Sequence, residues 1–373
     1  MSRTRTATPK HHEVFTTLLQ EIQEGQWQEG QRLPSEAQLT ERFGLSRITV
    51  GRALRDLQAA GVITRRAGAG SFVTRHTDAR AARSFGVLIA DLAETEIYEA
   101  ICRGMMASPL AQEHALLFGS ASRDLPPGDA ARRDERAWHL CQQYIEREVD
   151  GVFFAPVSTL IEPDDINHRI VRALDAAGIP IVLLDRPVTN YPDPGWHDLV
   201  GIDNRRAGYM MTTHLLDCGA QRVIFVRRPN SAPTVDARES GYRQAMNARQ
   251  QPVDQVHGAR LDPDDPDAVA AMLDRLRPDG IVCSSDRTAA RLMHTLLKLG
   301  IRIPQSIRLV GIDDVEYASL LPVPLTTLRQ PTLELGVVAL SMMLTRVAHR
   351  DLPARDTRLR CEMVVRDSCG ASA

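Results

Sequence analysis

The segment LPSEAQLTERFGLSRITVGRALRDLQAAGVITRRAGAGSFV, residues 33–73, decides the fold of the first part of this chain. Ser35 followed three residues later by Gln38 is a capping box, in which each side chain binds the other residue's backbone N–H at the start of a helix. Gly44 suits the left-handed conformation that commonly ends a helix. The segment therefore predicts a first helix over residues 35–43.

A second helix is predicted after a two-residue turn, with Ser46 as its N-cap. Its apolar residues recur every three or four positions and predict one buried stripe, formed by Val50, Ala53, Leu54 and Leu57. Arg47, Ile48 and Thr49 lie at the exposed leading end, and Arg52 follows one turn later. Two helices joined by a short turn, the second with a basic leading end, are typical of a helix-turn-helix, whose second helix enters the major groove of DNA.

Two short strand-forming runs, 62–64 and 71–73, follow this second helix. The residues between them include Arg66, Gly68 and Gly70. Glycines at the tip of a hairpin allow the backbone to approach a partner closely, and arginines supply positive charge. The pattern predicts a wing suited to contact with phosphates or the minor groove.

The motifs LPSEAQL, SRITVGRALRDLQAAGVI and RRAGAGSFV, in this order and spacing, resemble the winged helix of the GntR family of bacterial regulators. Ala37 and Gly51 stand where many family members carry a DNA-contacting arginine, and we expect Arg52 to take over part of that contact. The resemblance and the charge pattern together predict the following DNA-binding residues: Lys10, Ser35, Glu36, Arg47, Ile48, Thr49, Arg52, Arg66, Gly68 and Gly70.

Charge is distributed unevenly along the chain. Residues 1–84 carry a net charge of +5, whereas the whole chain of 373 residues has −2. A basic N-terminal module on an acidic body is typical of a DNA-binding protein with a separate sensing domain. The six cysteines include no CxxC pair, so their spacing indicates neither a metal site nor a disulfide framework. Because no signal peptide or membrane-spanning segment is recognisable, we expect a cytoplasmic protein with no membrane partner.

From Phe85 onward, short apolar runs alternate with helical segments. Several runs are rich in β-branched residues, as buried parallel strands require. The predicted strands are 85–90, 115–118, 151–155, 179–184, 200–202, 222–226, 280–283 and 307–312. This alternation predicts an α/β fold of doubly wound parallel sheets, and the number of strands indicates two lobes.

Three motifs in this region are AGIPIVLLDRP at 177–187, VGIDNRRAGYMMTTHLLDCGAQRVIFV at 200–226 and PDGIVCSSDRTA at 278–289. They resemble the effector-binding domain of LacI/GalR regulators, which is similar to periplasmic sugar-binding proteins. A GntR-like winged helix before a LacI-like sensor is the arrangement of AraR-like arabinose repressors. The resemblance implies that ligand binds in a cleft between the lobes, beside the carboxyl ends of the strands.

The predicted organisation begins with a flexible arm (1–9), a winged helix-turn-helix (10–74), a linker (75–84) and a two-lobed effector-binding domain (85–367). By the resemblance, lobe one consists of about 85–219 and 331–350, and lobe two of about 220–330 and 351–367.

Polar residues near the strand ends are the candidate effector ligands: Asp91, Asp185, Asp203, Thr234, Arg238, Ser285, Asp286, Asp313 and Gln330. A carboxylate accepts hydrogen bonds from sugar hydroxyls, and a planar Arg donates to several oxygens. Two aspartates have a structural alternative, because Asp203 is placed to cap a helix and Asp314 to hold its own loop. The set favours a sugar or other polyol. A nucleoside or sugar phosphate is the alternative, although aromatic residues form only 5% of the chain.

These features predict a transcriptional repressor that binds a pseudo-palindromic operator in double-stranded DNA as a homodimer and responds to a small-molecule effector. From the family arrangement, helices near 94–106 and 331–350 are the expected dimer surface. No phosphate loop or nucleophile elbow follows a predicted strand, so we expect no enzyme activity and no cofactor. A solute-binding transport receptor shares the sensor fold, but it would carry a signal peptide and no winged helix. Inducer and co-repressor control are equally compatible with these residues.

Overall fold

The structure is a computed structural model that describes residues 10–23, 25–59, 62–66, 69–74, 82–89, 96–119, 130–157, 165–189, 193, 195–229, 231–250 and 258–371. Two of the predicted site residues, Gly68 and Asp91, lie outside these residues, as does the predicted arm 1–9.

The N-terminal part contains three helices and a hairpin: α1 (Lys10–Gln23), α2 (Glu36–Phe43), α3 (Arg47–Ala59), β1 (Ile63–Arg66) and β2 (Gly70–Val73). Ser35 and Gln38 form the predicted capping box, and Gly44 ends α2 with a φ of 63°. Phe15 of α1 and Leu54 of α3 are fully buried in one shared apolar core. Because β1 and β2 pair antiparallel beside these helices, the predicted winged helix-turn-helix is confirmed.

Strands and helices alternate through the rest of the chain. In order they are β3 (Ser84–Leu88), α4 (Glu96–Ala107), β4 (Ala115–Phe118), α5 (Ala130–Glu146), β5 (Gly151–Phe154), α6 (Ile166–Ala176), β6 (Ile181–Leu184), β7 (Asp198–Ile202), α7 (Asn204–Asp217), β8 (Val223–Arg227), α8 (Pro233–Ala248), β9 (Gly258–Arg260), α9 (Pro266–Leu276), β10 (Gly280–Cys283), α10 (Asp286–Lys298), β11 (Arg308–Val310), β12 (Thr327–Arg329), α11 (Thr332–Ala348), β13 (Asp356–Leu359) and β14 (Glu362–Val364).

Two parallel sheets organise these elements, as predicted. The larger sheet has the order β13-β7-β6-β5-β3-β4, and the smaller has the order β11-β10-β8-β9. Helices α5 and α11 pack against the larger sheet, whereas α7, α8 and α10 pack against the smaller one. Side chains of β5 and β6 are buried throughout, which explains their uninterrupted apolar sequences.

Helix α7 and strand β13 each belong to a different lobe from the one that the sequence predicts. Residues 204–217 were assigned to lobe one, but α7 packs against α8 and the smaller sheet because Ala207, Met211 and Leu215 form its buried face. Residues 351–367 are predicted in lobe two, but one part of this segment, β13, pairs in parallel with β7 and so extends the larger sheet, whereas β14 pairs with β12. The chain therefore crosses between the sheets directly after β7, near Asp203.

Sequence periodicity did not predict four short strands, namely β9, β12, β13 and β14. Each has three or four residues, and β13 alternates exposed and part-buried positions without an apolar run. Pairing with a neighbouring strand, which a local pattern does not record, makes such segments extended. Among the residues that the structure describes, none of the helices has the length and apolar character required to cross a membrane.

Candidate functional site

The leading end of α3 is the most exposed part of the helix-turn-helix. The Arg47 side chain is 79% exposed, and Ile48 is 82% exposed although it is apolar. Ser46 Oγ accepts a hydrogen bond from the Thr49 backbone N–H over 3.3 Å and lies 2.8 Å from Thr49 Oγ1, so it caps the helix. An exposed Arg beside an exposed apolar side chain at a helix N-terminus suits contact with phosphates, base edges and thymine methyl groups.

Glu36 holds two arginines of this surface in place. Its Oε1 accepts a hydrogen bond from Arg65 Nη2 over 2.5 Å, and its Oε2 lies 3.5 Å from Arg47 Nε. The predicted site residue Ser35 caps the helix that Glu36 begins. The structure thus brings the start of α2, the start of α3 and the wing strand β1 together at one face.

The wing carries further positive charge. The Arg66 guanidinium carbon lies 5.1 Å from the centre of the Phe72 ring, a cation–π contact across the hairpin. Gly70 has a φ of 113°, and a Cβ there would lie 2.8 Å from Arg32 Nε, so a larger residue would be strained and would also press on Arg32. Lys10 is the first residue of α1.

The N-terminal domain contacts the rest of the chain through α1 and α3. Arg52, half-buried on α3, donates a hydrogen bond from Nη2 to the carbonyl oxygen of Arg360 over 3.3 Å. His11 Nε2 on α1 lies 3.4 Å from Glu334 Oε1 on α11. Arg52 is predicted to contact DNA. In the structure it contacts the connection between β13 and β14, so this contact competes with the predicted one.

The second candidate site lies where the carboxyl ends of strands from both sheets converge. Asp185 directly follows β6 and Asp203 directly follows β7 in the larger sheet. Ser285 lies two residues beyond β10 in the smaller sheet, and Asp313 follows β11. Carboxyl ends of parallel strands are the usual place for a ligand in open α/β sheets.

Arg238 on α8 is the centre of this site and is only 5% exposed. Its Nε donates to Asn204 Oδ1 over 2.8 Å, its Nη1 donates to the Ser284 carbonyl oxygen over 2.6 Å, and its Nη2 lies 3.6 Å from Asp313 Oδ1. A guanidinium carries five N–H donors in a fixed plane, so these three partners set its orientation.

Close contact between α7 and α8 positions Arg238 against Asn204. A Cβ on Gly208 of α7 would lie 1.9 Å from the Arg238 carbonyl oxygen, and a Cβ on Gly241 of α8 would lie 1.8 Å from the Arg205 carbonyl oxygen. Only glycine therefore allows the two helix backbones to approach this closely.

Asp313 contacts both Arg238 and Gln330, which directly follows β12. Its Oδ1 accepts a hydrogen bond from Gln330 Nε2 over 2.7 Å, and its φ of 135° is a conformation that non-glycine residues rarely adopt. The neighbouring Asp314 accepts hydrogen bonds from Arg329 Nε and Arg366 Nη2, each over 2.6 Å. Asp314 therefore holds its loop, as its structural alternative predicted.

Asp185 also has a left-handed backbone, with a φ of 70°. Burial raises the pKa of its carboxyl group, while the charges of Arg186 and Arg238 and a hydrogen bond with Tyr98 oppose that shift. Since Arg238 packs with the smaller sheet and Asp185 ends a strand of the larger one, this electrostatic interaction joins the two sheets.

Two of the remaining predicted ligands cap helices. Asp203 Oδ1 accepts the Arg206 N–H over 2.9 Å, so it caps α7, and Ser285 caps α10 through the Thr288 N–H. Thr234 is a part-buried residue in the first turn of α8, one helical turn before Arg238.

Asp286 lies in a structural position, contrary to its prediction as an effector ligand. Its carboxylate is fully buried and accepts hydrogen bonds from Thr327 Oγ1 over 2.6 Å and from the Val315 N–H over 3.1 Å. Burial and the nearby charge of Asp313 raise its pKa to about 7. The sequence pattern placed it at a strand end correctly, but the side chain points into the protein because Gly311 leaves room for it.

Sequence reasoning missed Asn204, Ser284 and Tyr98, which contact the predicted ligands Arg238 and Asp185. Asn204 stood next to Asp203 in the quoted GIDN motif, so attention to uncharged hydrogen-bonding residues would have found it. Ser284 acts through its carbonyl oxygen and Tyr98 comes from a distant helix, so neither left a sequence signal.

Comparison with known protein families finds a match in each of the two parts of the chain. Residues 10–73 match the gntR family of bacterial regulatory proteins, and residues 212–369 match the periplasmic binding protein-like domain. The protein is therefore a regulator in which a GntR DNA-binding domain precedes a periplasmic-binding-protein-like effector domain.

Among known regulators, the chain is similar to the arabinose metabolism transcriptional repressor of Geobacillus stearothermophilus, with 24% identity over 371 residues that cover 96% of this chain and 97% of the relative. It is 30% identical to the ribose operon repressor of Halalkalibacterium halodurans over 237 residues, which cover 63% of this chain and 66% of that repressor. The solved complex of the transcriptional regulator CelR with cellobiose has the same fold, with a TM-score of 0.64, 22% identity, and coverage of 86% of this chain and 90% of CelR.

Proposed function

We propose that this protein is a transcriptional repressor that binds its operator as a homodimer and responds to a sugar or similar polyol bound beside Arg238. The observation that carries the proposal is the buried Arg238 guanidinium at the strand ends, which is oriented by Asn204, Ser284 and Asp313 and whose N–H groups are suited to the oxygens of a sugar. The names of the relatives, which are repressors of arabinose and ribose genes, support the same class of ligand.

Charge in the cleft favours a neutral polyol over a sugar phosphate. Asp185, Asp203 and Asp313 follow strands of the two sheets, and Arg238 is a buried cation beside Asp313 and Asp185. Carboxylates accept hydrogen bonds from hydroxyl groups but repel a phosphate. A sugar ring therefore offers hydroxyl donors to the aspartates and oxygen acceptors to the guanidinium at the same time.

DNA binding would use the surface formed by the start of α3 and the wing. Arg47, Ile48 and Thr49 would contact the major groove, while Arg66 and Gly70 of the wing would lie against the phosphates or the minor groove. A pseudo-palindromic operator needs two such surfaces related by a two-fold axis, so a homodimer is part of the proposal.

Effector binding would change operator affinity through the contacts between the two domains. The Arg52–Arg360 hydrogen bond joins α3 to the connection after β13, and that connection continues into β14, which pairs with β12 just before Gln330. A ligand that moves the two sheets relative to one another would shift this connection. Coupling of about 1–3 kcal/mol would change operator affinity by roughly 5- to 150-fold.

The test is a thermal-shift screen of the purified protein against monosaccharides, disaccharides, sugar phosphates and nucleosides. A ligand that binds only the folded state stabilises it by about 2.7 kcal/mol at a hundredfold excess over its Kd. We expect a saturable increase in Tm with one neutral sugar, absent in Arg238→Ala and retained in Arg249→Ala, an exposed arginine directly after the same helix.

Operator binding is tested separately with double-stranded DNA selected by the protein from a random pool. A shift in DNA affinity on addition of the sugar, in either direction, supports the proposal. A Tm increase with a nucleoside or sugar phosphate alone would overturn the sugar assignment, and a sugar response that survives in Arg238→Ala would overturn the cleft assignment.

A further inference from the structure

Three side chains with metal-binding atoms meet far from the cleft, at the C-terminal end of α7. They are His214, Cys218 and Cys369, whose ligand atoms all lie within 4.8 Å of one another. Cys369 is fully buried, and the other two are part-buried. The even scatter of cysteines along the sequence predicted no such cluster, because Cys369 is separated from Cys218 by most of the second lobe.

One distance within this cluster matches tetrahedral metal coordination, and all three ligand atoms lie within 4.8 Å of one another. His214 Nε2 lies 3.6 Å from Cys218 Sγ. Zinc binds a Cys sulfur at about 2.3 Å and a His nitrogen at about 2.0–2.1 Å, and tetrahedral geometry then places those two ligand atoms about 3.6 Å apart. The His214–Cys218 pair is therefore already spaced as two ligands of one ion.

The backbone holds all three residues in position. His214 lies in the last turn of α7, and Cys218 is the C-cap four residues later, whose N–H donates to the His214 carbonyl over 2.9 Å. Cys369 ends a short 3₁₀ helix, Asp367–Cys369. Buried Ser368 anchors that turn by donating to the Leu309 carbonyl over 2.6 Å and accepting the Thr326 N–H over 2.8 Å.

We propose that His214, Cys218 and Cys369 bind a thiophilic divalent metal ion, for which zinc is the best match to a Cys₂His ligand set. The ion would join the end of α7 to the C-terminal turn within the second lobe. Because α7 has 14 residues, its metal-binding end lies about 20 Å from Asn204 at its start, so metal binding is separate from effector binding.

The experiment is a titration of the reduced, chelator-treated full-length protein with Co²⁺ and then with Zn²⁺. We expect one equivalent of Co²⁺ to produce the intense near-ultraviolet absorption of sulfur-to-cobalt charge transfer together with the visible bands of a tetrahedral ion. Zn²⁺ should displace the cobalt and raise the Tm. Cys218→Ser and Cys369→Ser should each weaken binding by tenfold or more, and the matched control Cys361→Ser should leave it unchanged.

A second variant separates loss of the site from loss of the fold. His214→Gln keeps both sulfurs, so it should retain some charge-transfer absorption while binding Co²⁺ more weakly, and circular dichroism checks that each variant is folded. Absence of stoichiometric binding in the reduced wild-type protein would overturn the proposal. So would unchanged cobalt absorption in folded Cys369→Ser, or a Cys218–Cys369 disulfide that forms while the reduced protein binds no metal.

Discussion

Arg238 Nε donates a hydrogen bond to Asn204 Oδ1 over 2.8 Å, and both side chains are buried. Asn204 is the first residue of α7, immediately after the chain leaves the larger sheet, whereas Arg238 lies on α8 beside the smaller one. The bond therefore orients the guanidinium relative to the point at which the chain crosses between the sheets.

Asn204→Ala is expected to weaken effector binding by about tenfold without unfolding the protein. The substitution leaves a buried guanidinium N–H without its acceptor, which costs about 1–3 kcal/mol and frees the guanidinium to rotate. Isothermal titration with the sugar found in the thermal-shift screen measures the effect. Asn204→Asp keeps the acceptor and should bind more nearly like the wild-type protein, so equal losses in both variants would argue against an orienting function.

Gly241→Ala is expected to destabilise the protein by more than the about 1–3 kcal/mol usual for overpacking. The added Cβ would lie 1.8 Å from the Arg205 carbonyl oxygen, and backbone atoms of α7 would have to move. Denaturant unfolding measures the change in free energy. Gly51→Ala is the matched control, because its nearest neighbours lie 3.7 Å away and alanine favours a helix. Equal stability of the two variants would contradict the close packing of α7 and α8.

Arg47→Ala is expected to weaken operator binding by about 5- to 150-fold if Arg47 reads a base edge, which corresponds to about 1–3 kcal/mol. Fluorescence anisotropy at several salt concentrations distinguishes a base contact from a phosphate contact. Loss of a phosphate contact also reduces the slope of log affinity against log salt concentration by about one. Effector affinity should not change. Normal operator binding by Arg47→Ala would show that α3 does not enter the groove as proposed.

Asp198 should make stability depend on pH in the acidic range. Burial raises its pKa, but hydrogen bonds from Arg346 and Arg355 outweigh it and leave the pKa below its ordinary value. A lowered folded-state pKa adds stability above the unfolded value of about 3.9, and this stability is lost as pH falls through the folded pKa. Urea unfolding between neutral pH and pH 3 should show the loss in the wild-type protein.

Removal of this buried charge tests the same ion pair at neutral pH. Asp198→Asn should cost about 3–5 kcal/mol, because two arginines lose the charge that they enclose. Asp356→Asn, in a half-exposed pair with Arg358, should cost less than about 1 kcal/mol. A small effect at Asp198 would mean that solvent reaches the pair and screens it.

Local sequence patterns were sufficient for the winged helix and for most buried strands. The Ser35–Gln38 capping box and Gly44 appeared where predicted, because capping depends on residues only a few positions apart. Apolar runs such as Ile181–Leu184 are buried strands, because a continuous apolar pattern indicates burial on both faces of a sheet. The lobe to which α7 and β13 belong depends on packing partners far along the chain, so no local pattern recorded it.

The sequence by itself determined the winged helix-turn-helix and the α/β fold of parallel sheets that follows it, because each depends on short motifs with a local physical cause. Only the tertiary structure decided which side chains meet. It assigned Asn204 to Arg238, placed the Asp286 carboxylate in the interior and brought Cys369 beside His214 and Cys218. These relationships depend on long-range packing, in which the direction of a side chain follows from the elements around it and not from its neighbours in sequence.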